Sequence, residues 1–224
     1  MMTYLISNMR IKVIGIFLVM AAGLSITVAP ANAAEKEWVE ASQVIDVSTL
    51  EMIELLARER LNAQTQSDIQ GINVSLDDAA LLAGMAVILD PVVDFNSIAK
   101  GVMAKFYRRA SEQQITDFQQ VFKQSLLNTY ARAVVAFKIN RFEIQAANGT
   151  SKPGRQKVWV KVYANGAAYD INYAMKKRPA GWKVTNVTLD GINLGLAFRQ
   201  QFSTAMAQNK GNMDDVIAFW IDPS

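Results

Sequence analysis

Few residues in this chain could do chemistry, and their types narrow what that chemistry is. The sequence contains no histidine and no cysteine. That excludes Ser-His-Asp and Cys-His catalysis, imidazole and thiolate metal sites, and disulfides. Carboxylate, tyrosine and lysine chemistry remains. Asp170 alternates with Tyr169 and Ile171 and so points away from their face, whereas Asp190 lies near the end of a strand and is the better candidate for a base beside a tyrosine donor. No phosphate-cradling glycine loop and no calcium loop occurs. Lys100, Lys105, Arg108 and Arg109 form a basic cluster. It suits a lipid headgroup, an anionic membrane surface or an acidic protein face, and equally a solvated helix face. Nothing in the charge pattern calls for nucleic acid.

The elements that must position these residues begin after an export signal. Arg10 and Lys12 precede an uncharged apolar run, Val13 to Val28, and Ala31-Asn32-Ala33 offers a small-x-small cleavage pattern. The run is shorter than the roughly 20 residues a spanning helix needs. Residues 1–33 therefore read as a cleaved signal peptide, so the mature chain is expected to be exported. Its removal takes Arg10 and Lys12 with it and lowers the formal charge from +3 to +1. Residues 34–224 read as one α+β domain: 34–139 mainly helical, 140–192 mainly antiparallel strands, 193–224 helical again.

Within the first part, Ser48-x-x-Glu51 resembles a capping box and predicts a helix from Ser48 to about Gln64 with a stripe of Leu50, Ile53, Ala57 and Leu61. The polar stretch Asn62 to Asn73 predicts a loop. Ser75-x-x-Asp78 opens a second helix that Pro91 ends, and a short helix follows Asp94 and carries Phe95, Ile98, Val102, Met103 and Phe106. Ser111-x-x-Gln114 opens the longest helix, to about Phe137, with Ile115, Phe118, Phe122, Leu126, Ala133 and Phe137 on one side.

The period then changes to two. Arg141 to Asn148 alternates, and Val158, Val160 and Val162 alternate with Trp159, Lys161 and Tyr163. Asn165-Gly166 predicts a tight hairpin into a strand that carries Tyr169, Ile171, Tyr173 and Met175 on one face. Pro179-Ala180-Gly181 predicts the next turn. Trp182 and Val184 share one parity and Val187 and Leu189 the other, so a bulge is expected near Asn186. Helices from about Leu194 to Gln208 and Asp214 to Trp220, with Asn212 as a cap, complete the chain. Helices followed by antiparallel strands predict helices packed on one face of a curved sheet. Such a half-cone can enclose an apolar hollow, or its apolar residues can simply fill the core.

Several segments, in this order, resemble the MlaC family of periplasmic phospholipid-binding proteins. They are Pro91-Val92-Val93-Asp94-Phe95-Asn96-Ser97-Ile98-Ala99, Phe106-Tyr107-Arg108-Arg109-Ala110-Ser111-Glu112-Gln113-Gln114, and Phe118-x-x-x-Phe122-x-x-x-Leu126-x-x-x-Tyr130-Ala131. Trp182-Lys183-Val184, Asp190-Gly191-Ile192-Asn193-Leu194, Arg199-Gln200-Gln201-Phe202 and Gly211-Asn212-Met213-Asp214-Asp215-Val216-Ile217 follow. The resemblance covers roughly Leu89 to Ala218. Ala104 stands where the family usually has glycine, Asn186 where it has aspartate, Asn193 where it has serine and Phe198 where it has tyrosine. The resemblance implies an NTF2-like curved antiparallel sheet, an added N-terminal helical subdomain and a deep cavity for acyl chains. It implies no catalysis and no cofactor other than a bound phospholipid. The implied role is shuttling lipid between an outer-membrane lipoprotein complex and an inner-membrane ABC transporter with an MCE-domain subunit, which keeps the outer membrane asymmetric. Transient contact with a membrane surface fits that role. Face parity and the resemblance together assign the lipid-binding wall to Val158, Val160, Val162, Tyr169, Ile171, Tyr173 and Val184 of the sheet, closed by Phe106, Phe118, Phe122 and Tyr130 of the helices. Two alternatives remain at this point: an interaction protein with a filled core, and an NTF2-like isomerase using Asp190.

Overall fold

The computed structural model describes residues 33–70, 78–136, 139–147 and 151–221. The expected signal peptide, apart from Ala33, lies outside them, and so does Ser75 of the second capping box.

The first helix is longer than its sequence signals. α1 runs Ala33–Gln70 without a break at Ser48. The Ser48 hydroxyl donates to the carbonyls of Val44, at 2.8 Å, and Ile45, at 3.2 Å, so it is a mid-helix serine satisfied within its own helix and not a cap. Residues 62–70, expected as loop, continue the helix. Thr65 and Ser67 donate to carbonyls four residues back, so their hydroxyls do not compete with the helical backbone. The stripe also differs from the expected one: Leu50 and Leu61 are exposed, and the buried residues are Ala41, Ile45, Met52, Leu55 and Leu56. Two apolar stripes overlap in this sequence, and the one that meets partners wins.

α1 consequently belongs to two layers. Ala41 and Ile45 pack on the sheet with Val158, Val160, Met175, Trp182 and Val184. About two turns further on, Met52, Leu55 and Leu56 pack with Leu81 and Met85 of α2 (Asp78–Leu89) and with Ala131 and Val134 of α4 (Glu112–Ala136). Gly84 permits this approach, since a Cβ there would stand 2.6 Å from Leu55 Cδ1.

α3 (Phe95–Met103) begins at Asp94, whose carboxylate accepts the Ser97 amide at 3.0 Å. It stops at Ala104, where the chain turns into a 3-10 segment, Ala104–Arg108. Thus Phe106, expected on the same helix as Phe95, sits beyond a break. α4 starts with the reciprocal pair expected from its sequence: the Gln114 amide donates to Ser111 Oγ and the Ser111 amide to Gln114 Oε1, each at 3.1 Å.

The sheet is an antiparallel meander in the order β1 (Ile139–Ile144), β2 (Arg155–Ala164), β3 (Ala167–Arg178), β4 (Gly181–Leu189), β5 (Ile192–Asn193). Asn165 and Gly166 have φ of 50° and 77°, so both central turn residues take the left-handed conformation that a tight hairpin requires. The expected bulge is present, since Ala174 pairs with Asn186 and Met175 with Val184, leaving Thr185 as the extra residue. It restores Val187 and Leu189 to the face of Trp182 and Val184. The segment before α3 joins the sheet as well, for Val93 bridges Val184 in parallel. α5 (Leu194–Gln208) and α6 (Met213–Ile221) close the chain. Asn193 caps α5, and the Asp214 amide donates to Asn212 Oδ1 at 3.1 Å.

Candidate functional site

The inner face of the sheet is covered unevenly. Register puts Val158 opposite Tyr173, Val160 opposite Ile171 and Val162 opposite Tyr169, so these six expected wall residues share one face, and Val187 joins them opposite Tyr173. Under α1 the face is closed: Val158 is 0% exposed, Val160 2% and Val184 4%. Beyond α1, Val162, Tyr169, Ile171, Tyr173 and Val187 are only half-buried. Apolar side chains on an inward face that the protein itself leaves half-covered remain available to a further apolar partner.

Tyr130 of α4 is the remaining expected wall residue. α4 packs against α2, α3 and α6, yet Tyr130 and Tyr173 sense one another electrostatically. Burial pushes the Tyr130 hydroxyl above its ordinary range, and Tyr173 is pushed up by burial first and by Tyr130 second. Tyr130 nevertheless keeps 41% of its surface accessible.

Trp182, whose inward parity left its role open, is pinned. Its indole N–H donates to Glu40 Oε2 at 3.1 Å, and Lys177 donates to the same oxygen at 2.9 Å. Lys177 and then Trp182 hold the Glu40 carboxyl below its usual range. Glu37 accepts the Gly154 amide at 2.9 Å. Carboxylates one turn apart on α1 thus fasten this helix across the sheet. Sequence reasoning missed this contact, because nothing local in Glu37 and Glu40 signals partners more than a hundred residues away.

The phenylalanines are elsewhere. Phe118 and Phe122 are 0% exposed, within a ring cluster between α3, α4, α5 and α6. Phe118 stacks on Phe122 at 5.5 Å and meets Phe202 edge-on at 4.8 Å and Trp220 at 5.4 Å. Phe106 lies 5.8 Å from Phe202 in the same cluster. The expectation that Phe106, Phe118 and Phe122 face the sheet residues is corrected on this point: the C-terminal rings of Phe202 and Trp220 occupy their faces. Asp190 is an exposed turn residue whose carboxylate accepts the Asp170 amide at 2.8 Å, and Asp170 pairs with Lys161 at 3.0 Å. Neither carboxylate stands on the inner face of the sheet. Among the described residues, no group of three or more carboxylates is arranged to hold a metal ion, and no helix is long and apolar enough to cross a membrane.

Comparison with known proteins follows the same lines. A solved structure of a phospholipid-binding protein from Ralstonia solanacearum, in complex with a phospholipid, superposes with a TM-score of 0.66 over 81% of this chain and 94% of that one. At 19% identity the likeness is one of fold. The toluene tolerance protein ttg2D of Pseudomonas putida is 37% identical over 135 residues, which are 59% of this chain and 62% of that relative. The chain therefore matches a little under two thirds of the relative's length. The family model described as MlaC protein matches residues 59–222, from the middle of α1 to the end of α6. The chain belongs to the MlaC protein family.

Proposed function

We propose that this protein is a periplasmic carrier that holds phospholipid by its acyl chains in the hollow between the sheet and α4. The observation that carries the reading is the inner face of β2, β3 and β4 beyond α1, where Val162, Ile171, Tyr173 and Val187 are left half-covered. The phospholipid in the structural relative and the family membership support it. In this reading the sheet is the wall of an NTF2-like half-cone, and Val158, Val160 and Val184 form its closed floor beneath α1.

Each methylene withdrawn from water is worth ~0.8 kcal/mol, so a two-chain lipid does not cross an aqueous compartment unaided. An apolar wall replaces bilayer contacts at small net cost, which allows both extraction and release. The phosphate stays at the mouth, because an unpaired charge is expensive to bury. Binding and release need no acid, base or nucleophile, in keeping with a chain that has neither histidine nor cysteine. The carrier then exchanges lipid with an outer-membrane lipoprotein complex and with an inner-membrane ABC transporter carrying an MCE-domain subunit, keeping the outer membrane asymmetric. Export through a signal peptide spanning residues 1–33 places it between them.

Ile171 tests the reading, being half-buried and so more tolerant of change than Val160. Ile171→Arg puts a charge among the acyl chains at a cost of several kcal/mol, more than a hundredfold in affinity. Native mass spectrometry of wild type should show bound phospholipid, and a folded Ile171→Arg should show it stripped. Equal lipid in the two, or none in wild type, refutes the carrier and leaves a protein with a filled interior.

A further inference from the structure

We propose that the basic turn after α3, together with the start of α5, is a docking surface for an anionic lipid bilayer. Two adjoining concavities open there. One, of about 500 Å³, is lined by Ala104, Lys105, Arg108 and Arg109. The other, of about 370 Å³, shares Ala104 and Lys105 with the first and adds Leu196 and Arg199 of α5 among its lining. No carboxylate lines either one.

The charges are uncompensated. None of the ion pairs among the described residues involves Lys105, Arg108, Arg109 or Arg199. Lys105 lies over the Phe106 ring at 5.1 Å, and Arg199 donates to the Gly101 carbonyl at 2.9 Å. These contacts orient the side chains without neutralising them. Some cations elsewhere do have carboxylate partners, as Lys123 has Asp90 and Arg178 has Asp94, but what distinguishes this patch is that its cations gather around concavities that no carboxylate lines. An unpaired cluster of like charge costs self-repulsion unless an anionic partner relieves it.

The partner is a bilayer rather than an acidic protein because of what sits beside the charge. Leu196 is 56% exposed on the rim of the same depression. Cations that meet phosphates next to an apolar side chain able to enter the acyl boundary are the features of a peripheral membrane contact. The backbone supports the presentation, since Ala104 turns the chain sharply out of α3 and leaves Lys105, Arg108 and Arg109 exposed. The surface shares no residue with the proposed lipid-binding face, and the carrier reading enters only in supplying a reason for the protein to visit a membrane.

Vesicle co-sedimentation tests this, with phosphatidylcholine alone and with phosphatidylcholine and phosphatidylglycerol at three to one. Wild type should bind the anionic vesicles at low salt and release them at high salt. Each cation near such a surface contributes about fivefold, so Lys105→Gln/Arg108→Gln/Arg109→Gln should weaken binding by at least tenfold. Leu196→Ser should weaken the low-salt binding several-fold. Wild type that does not distinguish the two vesicles, or a triple variant that binds as wild type does, overturns the proposal, and the first result redirects the patch to an acidic protein. Phospholipid co-purifying with the triple variant is measured in parallel. Retained cargo with lost vesicle binding is the expected pair, and absent cargo in wild type would refute the carrier while leaving the docking result to stand alone.

Discussion

Ala104 occupies a conformation that its side chain resists, and relieving it is the sharpest test of the backbone described above. Its φ of 48° and ψ of −118° place it at the first central position of a type II′ turn, where glycine is the usual residue. A non-glycine residue held in such a sparsely populated region costs about 1–3 kcal/mol. Ala104→Gly removes that cost. Against the gain stands the greater freedom of glycine in the unfolded chain, about 0.5–1 kcal/mol. The net expectation is a stabilisation of about 0.5–2 kcal/mol, which for a domain of this size raises Tm by about 1–8 °C. Thermal unfolding followed by circular dichroism reads the shift. Ala57→Gly supplies the opposite sign: Ala57 is exposed within α1, so glycine there should destabilise by about 1 kcal/mol. If both substitutions destabilise alike, Ala104 is not strained and the account of the turn is wrong.

Three other outcomes follow from contacts already described. Asp94 caps α3 and accepts Arg178 Nη2 at 2.8 Å. Burial raises its pKa, but the Ser97 amide and hydroxyl and the Arg178 guanidinium outweigh burial and hold it below the ordinary 3.8. A depressed carboxyl stabilises the fold above its unfolded pKa and loses that contribution as pH falls through its folded pKa. Asp94→Asn, which still caps, should therefore be less stable by about 1 kcal/mol in urea titrations above pH ~5, with the gap closing toward pH ~2; a gap independent of pH would be contrary evidence. At the start of α5, a Cβ on residue 195 would lie 2.5 Å from Asn186 Oδ1, which accepts the Gly195 amide at 3.1 Å. Gly195→Ala should cost about 1 kcal/mol, and should become neutral or favourable in an Asn186→Ala background; the same cost in both backgrounds rules out this clash. Finally, Glu40→Gln removes the charge that Lys177 pairs with and should increase proteolysis near the N-terminus of α1, whereas unchanged protection would show that apolar packing alone holds this helix.

Particular elements show why some of this was legible in one dimension. Alternation of Val158, Val160 and Val162 with polar neighbours is a local signal, as are the Asn165-Gly166 turn and the Ser111–Gln114 cap, and each appears where the pattern put it. The bulge was legible because a parity change on a strand has few other meanings, and it brought Val187 to the inner face. Ser48 misled because a serine three residues before a glutamate can cap a helix or sit inside one. The choice depends on whether the preceding residues find something to pack on. Here Ala41 and Ile45 find the sheet, and the helix extends back over it.

The candidate site divides in the same way. Period and turn chemistry alone determined which residues share the inner face of the sheet, because a strand's side-chain direction is set by its own backbone. Composition also determined which reactions are closed to a chain without histidine or cysteine. Only the tertiary structure decided which part of that face is covered, since cover comes from α1, distant in sequence from the strands. It likewise decided that Phe118 and Phe122 join Phe202 and Trp220 while Tyr130 stands open. Apolar periodicity records that a side chain seeks to leave water. It carries no information on whether the protein's own rings or another molecule will meet it there.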